Sequence, residues 1–186
     1  SSSLQSVRAY PNESYFSLVD AGRITPVKDQ GSAGSCGIFA ALASLESYLV
    51  PVDSYQWDYS ENNMKNLLSQ DYSEGFDRTH DAGTDAYMAA AYLARWTGPV
   101  LESDDPYSPT SGISPTNKTV QKHVQEVIFL PPRNNSTDNG LIKNVIKENG
   151  GIWAAFDINW TCFATKNGYN YVTYYDPVLV SSSSSN

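Results

Sequence analysis

The sequence predicts an α+β protein whose helices gather in its first hundred residues and whose strands, with one further helix, follow them. Two observations carry that reading. After Cys36, the residues Ile38, Phe39, Leu42, Leu45, Tyr48 and Leu49 recur mostly at three- and four-residue spacing with alanines between, the period of a buried helix. From Thr119 the pattern changes: Val120, Val124, Val127, Ile128, Phe129 and Leu130 form a β-branched, aromatic-tipped run that stops at Pro131 and Pro132, which predicts a strand.

Taken in order, residues 1–14 are polar and are expected to form a surface arm. The first helix is expected to begin near Ser35, as N-cap, and to end before Pro51, which lacks the N–H that would continue it. A second, surface helix is expected after Ser60, a good N-cap, with Asn63 where a capping box puts Glu or Gln and with Met64, Leu67 and Leu68 turned inward. A loop rich in Asp, Ser and Gly runs from Gln70 to Asp85, and a third helix is expected from about Asp85 to Trp96. The acidic residues between Gly98 and Ser108, Glu102, Asp104 and Asp105, lack the regular oxygen-ligand spacing of a calcium loop and read as a solvated turn. Leu141, Ile142, Val145 and Ile146 make one stripe of an amphipathic helix that Gly150 suits as a stop. A strand is expected from Gly151 to Ile158, Cys162 reads as a buried spectator, and a tyrosine-rich segment from Tyr169 to Tyr175 leads to a polar tail.

Composition narrows the function. A chain of 186 residues is long enough for one domain with a proper core, or for one and a half lobes of a two-lobed protein. A net charge of −8 without a basic run argues against nucleic acid and against anionic membrane surfaces. No apolar stretch approaches the roughly 18 residues of a membrane span, and no signal peptide is read at the start. Two cysteines make no disulfide framework and leave the redox compartment open. Thirteen tyrosines and sequons at Asn12, Asn117, Asn134, Asn135 and Asn159 favour an exported or cell-surface protein. No metal cluster, phosphate-cradling loop or cofactor fingerprint occurs, so no cofactor is expected.

The chemistry concentrates between Asp29 and Ala43. A thiol attacks as thiolate, and the first turn of a helix favours that anion through its unpaired N–H groups and macrodipole, which is where Cys36 falls. Gly31 and Gly34 permit close backbone approach to a ligand, and Gln30 lies six residues ahead of the thiol, in reach to donate to an oxyanion. Taken alone, a cysteine at a helix start is more often a small buried hydrophobe.

The surrounding residues shift that balance. Gly22 to Cys36, Gly-Arg-Ile-Thr-Pro-Val-Lys-Asp-Gln-Gly-Ser-Ala-Gly-Ser-Cys, closely resembles the segment that opens the mature domain of papain-like cysteine peptidases. The resemblance implies a two-lobed papain-like fold, with a helical lobe over about residues 24–105 and a β-rich lobe, incomplete here, over about 106–186. It implies Cys36 as nucleophile and the Gln30 side chain with the Cys36 N–H as oxyanion hole. Gly34 and Ser35 would line the substrate, as would Ala82 and Gly83, which stand where the family has an Asn-Gly-Gly turn that pairs with the substrate main chain. The expected partner is a polypeptide substrate and the expected reaction is its hydrolysis. Acyl transfer to an amine would share every residue.

Three departures stand out. Gly37 replaces the family's usual Trp, which removes an aromatic wall and costs up to about 1 kcal/mol of helix propensity relative to alanine. Ala33 replaces a cysteine that many members join by a disulfide to a later part of the same lobe. The family's base is a histidine roughly 130–150 residues after the nucleophile, and no histidine occurs from 166 to 186. His80 and His123 are expected to be exposed and without a catalytic role. These 186 residues are therefore expected to be the front part of a longer domain, inactive alone, with possible further domains beyond. The competing expectation is a catalytically dead papain-like fold used as a surface binding or adhesion module.

Overall fold

A computed structural model describes residues 15–53, 55–156, 163–166 and 169–174. The chain divides into two compact units, residues 1–154 and 155–186. The first contains helices α1 (Cys36–Leu49), α2 (Glu61–Leu67), α3 (Ala86–Ala94) and α4 (Gly140–Asn149). The second contains an antiparallel hairpin of β1 (Phe163–Lys166) and β2 (Tyr169–Tyr174), pairing Phe163 with Tyr174 and Ala164 with Thr173, with a register irregularity before Lys166 meets Tyr169.

The core of the first unit is the junction of α1, α2 and α3. Ile38, Ala41, Leu42 and Leu49 form the inward stripe of α1 and meet Tyr59, Met64 and Leu68 from the α2 region and Ala89, Tyr92 and Leu93 from α3. Burying side chains of this size contributes about 1.5–3 kcal/mol each, which makes the junction the main source of stability. The opposite face of α1 is different: Phe39, Ala40 and Ala43 line a groove of about 430 Å³ with Leu18, Ile24, Val27 and Ile152.

Helix starts follow the expected caps in part. Ser60 accepts from the Asn63 N–H at 2.9 Å, and Asp85 accepts from the Met88 N–H at 2.8 Å. Ser35 occupies the N-cap of α1 without capping it through its side chain, because its hydroxyl is engaged by Tyr107. Helix α4 stops at Gly150, whose φ of 104° is a conformation that favours glycine.

Three expectations need correction. Helix α2 is no surface helix: Glu61, Asn62, Asn63, Lys65 and Asn66 are all buried with Met64. The segment after Val100 covers it, and its polar side chains are met there. Asp105 accepts from Asn62 Nδ2 at 2.7 Å and Asn63 Nδ2 at 3.2 Å, while Asn66 Nδ2 donates to Ser114 Oγ at 3.1 Å. Hydrogen bonding on that scale makes polar burial tolerable. The run from Val120 to Leu130 forms no strand, since no ladder joins it among the described residues. Its backbone ties include a Gln121 N–H to Pro99 C=O bond of 2.8 Å and a Trp96 Nε1 bond to Val124 C=O of 2.9 Å. Residues 151–156 are likewise not a strand, and the expected continuation through 157 and 158, together with Cys162 and the arm 1–14, lies outside the described residues. The four helices are present, but a β-rich second lobe is not seen among the described residues beyond the one hairpin.

Candidate active site

Cys36 is the first residue of α1 and its side chain is exposed. It sits there because the chain before it, residues 30–35, folds into a loop tied at both ends. Gly31 has φ 59° and its N–H donates to Asp29 Oδ1 at 2.8 Å, a turn that a residue with a Cβ enters only with strain. The Gln30 side-chain amide donates to the Ala33 carbonyl at 2.8 Å, and its second N–H has no partner among the described residues. Tyr107 closes the loop from outside. Its hydroxyl donates to the Gln30 carbonyl at 2.7 Å, so the Ser35 hydroxyl, also 2.7 Å away, donates to it in turn. The Tyr107 ring packs edge-on against Phe39 with centroids 4.9 Å apart, and burial pushes its phenol above the ordinary value.

The loop after α2 comes to the same place. The Gly34 N–H donates to the Asp81 carbonyl at 2.8 Å, and a Cβ at Gly34 would come within 2.9 Å of that oxygen and 3.4 Å of the Gly83 nitrogen. Gly34 is thus a neighbour of Ala82 and Gly83, which follow it by 48 and 49 residues in sequence, and a side chain at 34 would wedge them apart. A Cβ at Gly37 would approach Thr84 Oγ1 to 2.7 Å and the Thr84 carbonyl to 2.8 Å. Thr84 Oγ1 is itself buried without a hydrogen-bond partner among the described residues. On the other side of α1, Trp153 Nε1 donates to the Gly37 carbonyl at 2.9 Å, so an indole does reach this turn, from a distant segment.

A charge cluster, buried at Glu46 and Glu61 and open at Asp58, centres on Lys28. Lys28 Nζ reaches Asp58 at 2.7 Å, Glu61 at 2.8 Å and Glu46 at 3.4 Å, and donates to the Tyr59 carbonyl at 3.0 Å. Burial disfavours the ammonium, yet the three carboxylates outweigh it and hold Lys28 above its usual value. Glu46 is fully met, accepting also from Thr25 Oγ1 at 2.5 Å and the Tyr59 N–H at 2.8 Å. Glu61 is not: its Oε2 is buried without a hydrogen-bond partner among the described residues, and burial, opposed by Lys28, pushes its carboxyl up to about 7.

Neither histidine bonds to Cys36. His123 stacks on Trp96 at 4.7 Å between centroids, and the His80 ring lies beside Gly112. Sequence reasoning passed over Tyr107, Thr84, Trp153 and Arg78. Of these only Arg78 left a trace, as the one lysine or arginine in the acidic stretch from Gln70 to Asp85. Among the described residues no cluster of His, Cys, Asp and Glu is arranged to hold a metal ion, and no helix is long and apolar enough to cross a membrane.

Comparison with known proteins bears on this geometry. The chain is 32% identical over 90 residues to cysteine proteinase 1 of Entamoeba histolytica, covering 47% of this chain and 27% of that protein. It is 27% identical over 163 residues to cathepsin J of Mus musculus, covering 85% of this chain and 44% of that protein. Its fold is similar, at a TM-score of 0.62 and 27% identity, to the cysteine protease and lectin-like domains of a surface layer associated protein of Clostridium difficile, covering 75% of this chain and 31% of that one. The chain spans less than half the length of these relatives. The family described as papain family cysteine protease matches residues 14–178. The loop that sets a cysteine at the head of a buried helix therefore belongs to a recognised lineage, and this chain is a member of the papain family of cysteine proteases.

Proposed function

We propose that the protein hydrolyses peptide bonds in polypeptides, with Cys36 as nucleophile. The observation that carries the reading is the placement of an exposed thiol on the first residue of α1, beside a loop whose glycine at 34 lets it close against residues 81–83. The sulfur attacks the carbonyl carbon, the C–N bond breaks as the amine takes a proton, and water then hydrolyses the thioester to acid and free thiol. The Cys36 N–H and the second N–H of the Gln30 side chain are the proposed oxyanion donors. Gly34, Ser35, Ala82 and Gly83 are proposed to line the bound chain. The proton-transferring base is assigned to neither His80 nor His123, and the proposed site of action is outside the cell or at its surface.

Peptidase turnover by the full-length protein, compared with its Cys36→Ser variant, tests this. Loss of turnover in the variant is expected, and wild-type turnover in the variant overturns the reading. The second reading, a binding or adhesion module, is favoured by Gly37 in place of the family's Trp. Alkylation of Cys36 by iodoacetamide as a function of pH separates them: half-ionisation well below the free-thiol value of about 8.5 excludes the inert module.

A further inference from the structure

One phenol oxygen ties together the two ends of the loop that precedes the thiol. Tyr107 Oη carries a single proton, which it gives to the Gln30 carbonyl at 2.7 Å, so it stands as acceptor to the Ser35 hydroxyl at 2.7 Å. Gln30 and Ser35 are the first and last residues of the loop, and Ser35 adjoins Cys36. Ser35 is fully buried, so its hydroxyl depends on this partner. The phenol is itself held on two sides. Its ring packs edge-on against Phe39, one turn along α1 from Cys36, and the Tyr107 N–H donates to Glu102 Oε1 at 2.6 Å.

Gln30 is thereby fixed at backbone and side chain alike. Its carbonyl is held by Tyr107, and its side-chain amide donates to the Ala33 carbonyl at 2.8 Å. In a planar amide the direction of the second N–H follows once the first is tied. That second N–H and the Cys36 N–H are the two proposed oxyanion donors. They stabilise a tetrahedral oxyanion only where both lie within about 2.7–3.1 Å of one point. The chain between them does not secure that spacing: it holds Gly31, at φ 59°, and Gly34, the residue type with the widest backbone freedom. The Gly34 N–H is tied to the Asp81 carbonyl, which fixes the middle of the loop. Among the described residues Tyr107 is the hydrogen-bond partner that reaches Gln30 from outside the loop.

We propose that Tyr107 is a positioning residue for peptide-bond cleavage, its hydroxyl holding the Gln30 side-chain amide in register with the Cys36 N–H. This rests on the peptidase reading above. The test uses the full-length protein and, as probe, the peptidyl aminomethylcoumarin that it cleaves fastest. Tyr107→Phe keeps the ring against Phe39 and removes the hydroxyl alone. Its kcat is expected to fall about 10–100-fold with KM within about twofold, since a displaced oxyanion donor costs the transition state and not the bound substrate. Iodoacetamide loses iodide from a saturated carbon and forms no oxyanion, so its rate on Cys36 is expected to hold. A merely structural role would slow both reactions together or raise KM, and either result overturns the proposal. A second readout asks whether Tyr107 acts through Gln30. Gln30→Ala alone is expected to lower kcat about 10²–10³-fold, and adding Tyr107→Phe to it is expected to change that by no more than about twofold, because no side-chain donor is left to position. Losses that multiply overturn the proposal, as does an unchanged kcat in Tyr107→Phe, and both leave the peptidase reading intact. Absence of turnover by the unaltered protein, or turnover that survives Cys36→Ser, overturns the peptidase reading and this one with it.

Discussion

The residues around Cys36 and the run from Val120 to Leu130 carry equally clear local patterns, and they end in opposite states. Around Cys36, segments distant in sequence converge: Lys28 on Asp58 and Glu61, Gly34 on Asp81, Tyr107 on Gln30 and Ser35, Trp153 on Gly37. The later run has β-branched and aromatic residues suited to a strand, yet Ile128 and Phe129 are 55% and 52% exposed and no ladder forms among the described residues. Phe129 stacks on Tyr87 with centroids 5.1 Å apart, which is a contact of side chains and not of backbone. A helix satisfies its own backbone, whereas a strand needs a neighbour, so the same strength of local signal yields an element in one case and an extended segment in the other.

This contrast predicts where substitutions will matter. The largest effect is expected for Lys28→Met, which strands Glu46 and Glu61, 1% and 2% exposed, without their cation. A loss of about 3–5 kcal/mol is expected by denaturant unfolding, as for a broken buried ion pair. A cost below about 1 kcal/mol, in the range of surface pairs, would show that the cluster is not held as a buried unit.

Next is Gly37. Alanine would gain up to about 1 kcal/mol of helix propensity, but its Cβ would meet Thr84 Oγ1 at 2.7 Å and the Thr84 carbonyl at 2.8 Å, and overpacking of that kind costs about 1–3 kcal/mol. Gly37→Ala is therefore expected to lower the thermal midpoint, with Thr84→Ala recovering part of the loss. The family's Trp at this position should do worse. A midpoint raised by Gly37→Ala would mean that residues 81–84 yield easily.

Glu61 gives a pH signature. Its folded-state value, about 7 against an unfolded value near 4.5, means the folded state holds a proton that the unfolded state has released between those limits. Its contribution to stability is thus present below about pH 4.5 and is lost as pH rises toward 7. In Glu61→Gln that part of the pH dependence should flatten, and an unaltered slope from pH 5 to 7 would assign it to another group. The smallest effect is expected for Ile128→Ser in the extended run, within about 0.5 kcal/mol, since an exposed side chain away from special features contributes little. A cost above 1 kcal/mol would reveal a partner for this segment.

Much of the candidate site was legible in the sequence because it is local. Gln30, Gly34, Ser35 and Cys36 sit within one turn and the start of one helix, and caps such as Ser60 and Asp85 act over three residues. The α1 stripe of Ile38, Leu42 and Leu49 was readable for the same reason, as helical period and burial coincide. Helix α2 was misread because its polar residues look solvated until Asp105 and Ser114, some 40 to 50 residues away, arrive to meet them.

The sequence by itself determined the helices, the lineage and the cysteine around which the front half is built, since periodicity, capping and a contiguous motif are properties of neighbouring residues. Tertiary structure alone decided that a glycine stands at 37 because Thr84 occupies the space, that Tyr107 fastens the loop before the thiol, and that Arg78 gathers the carbonyls of His80, Ala82 and Gly83. Each depends on a close approach between segments separated along the chain, and nothing in the local pattern of either partner encodes that distance.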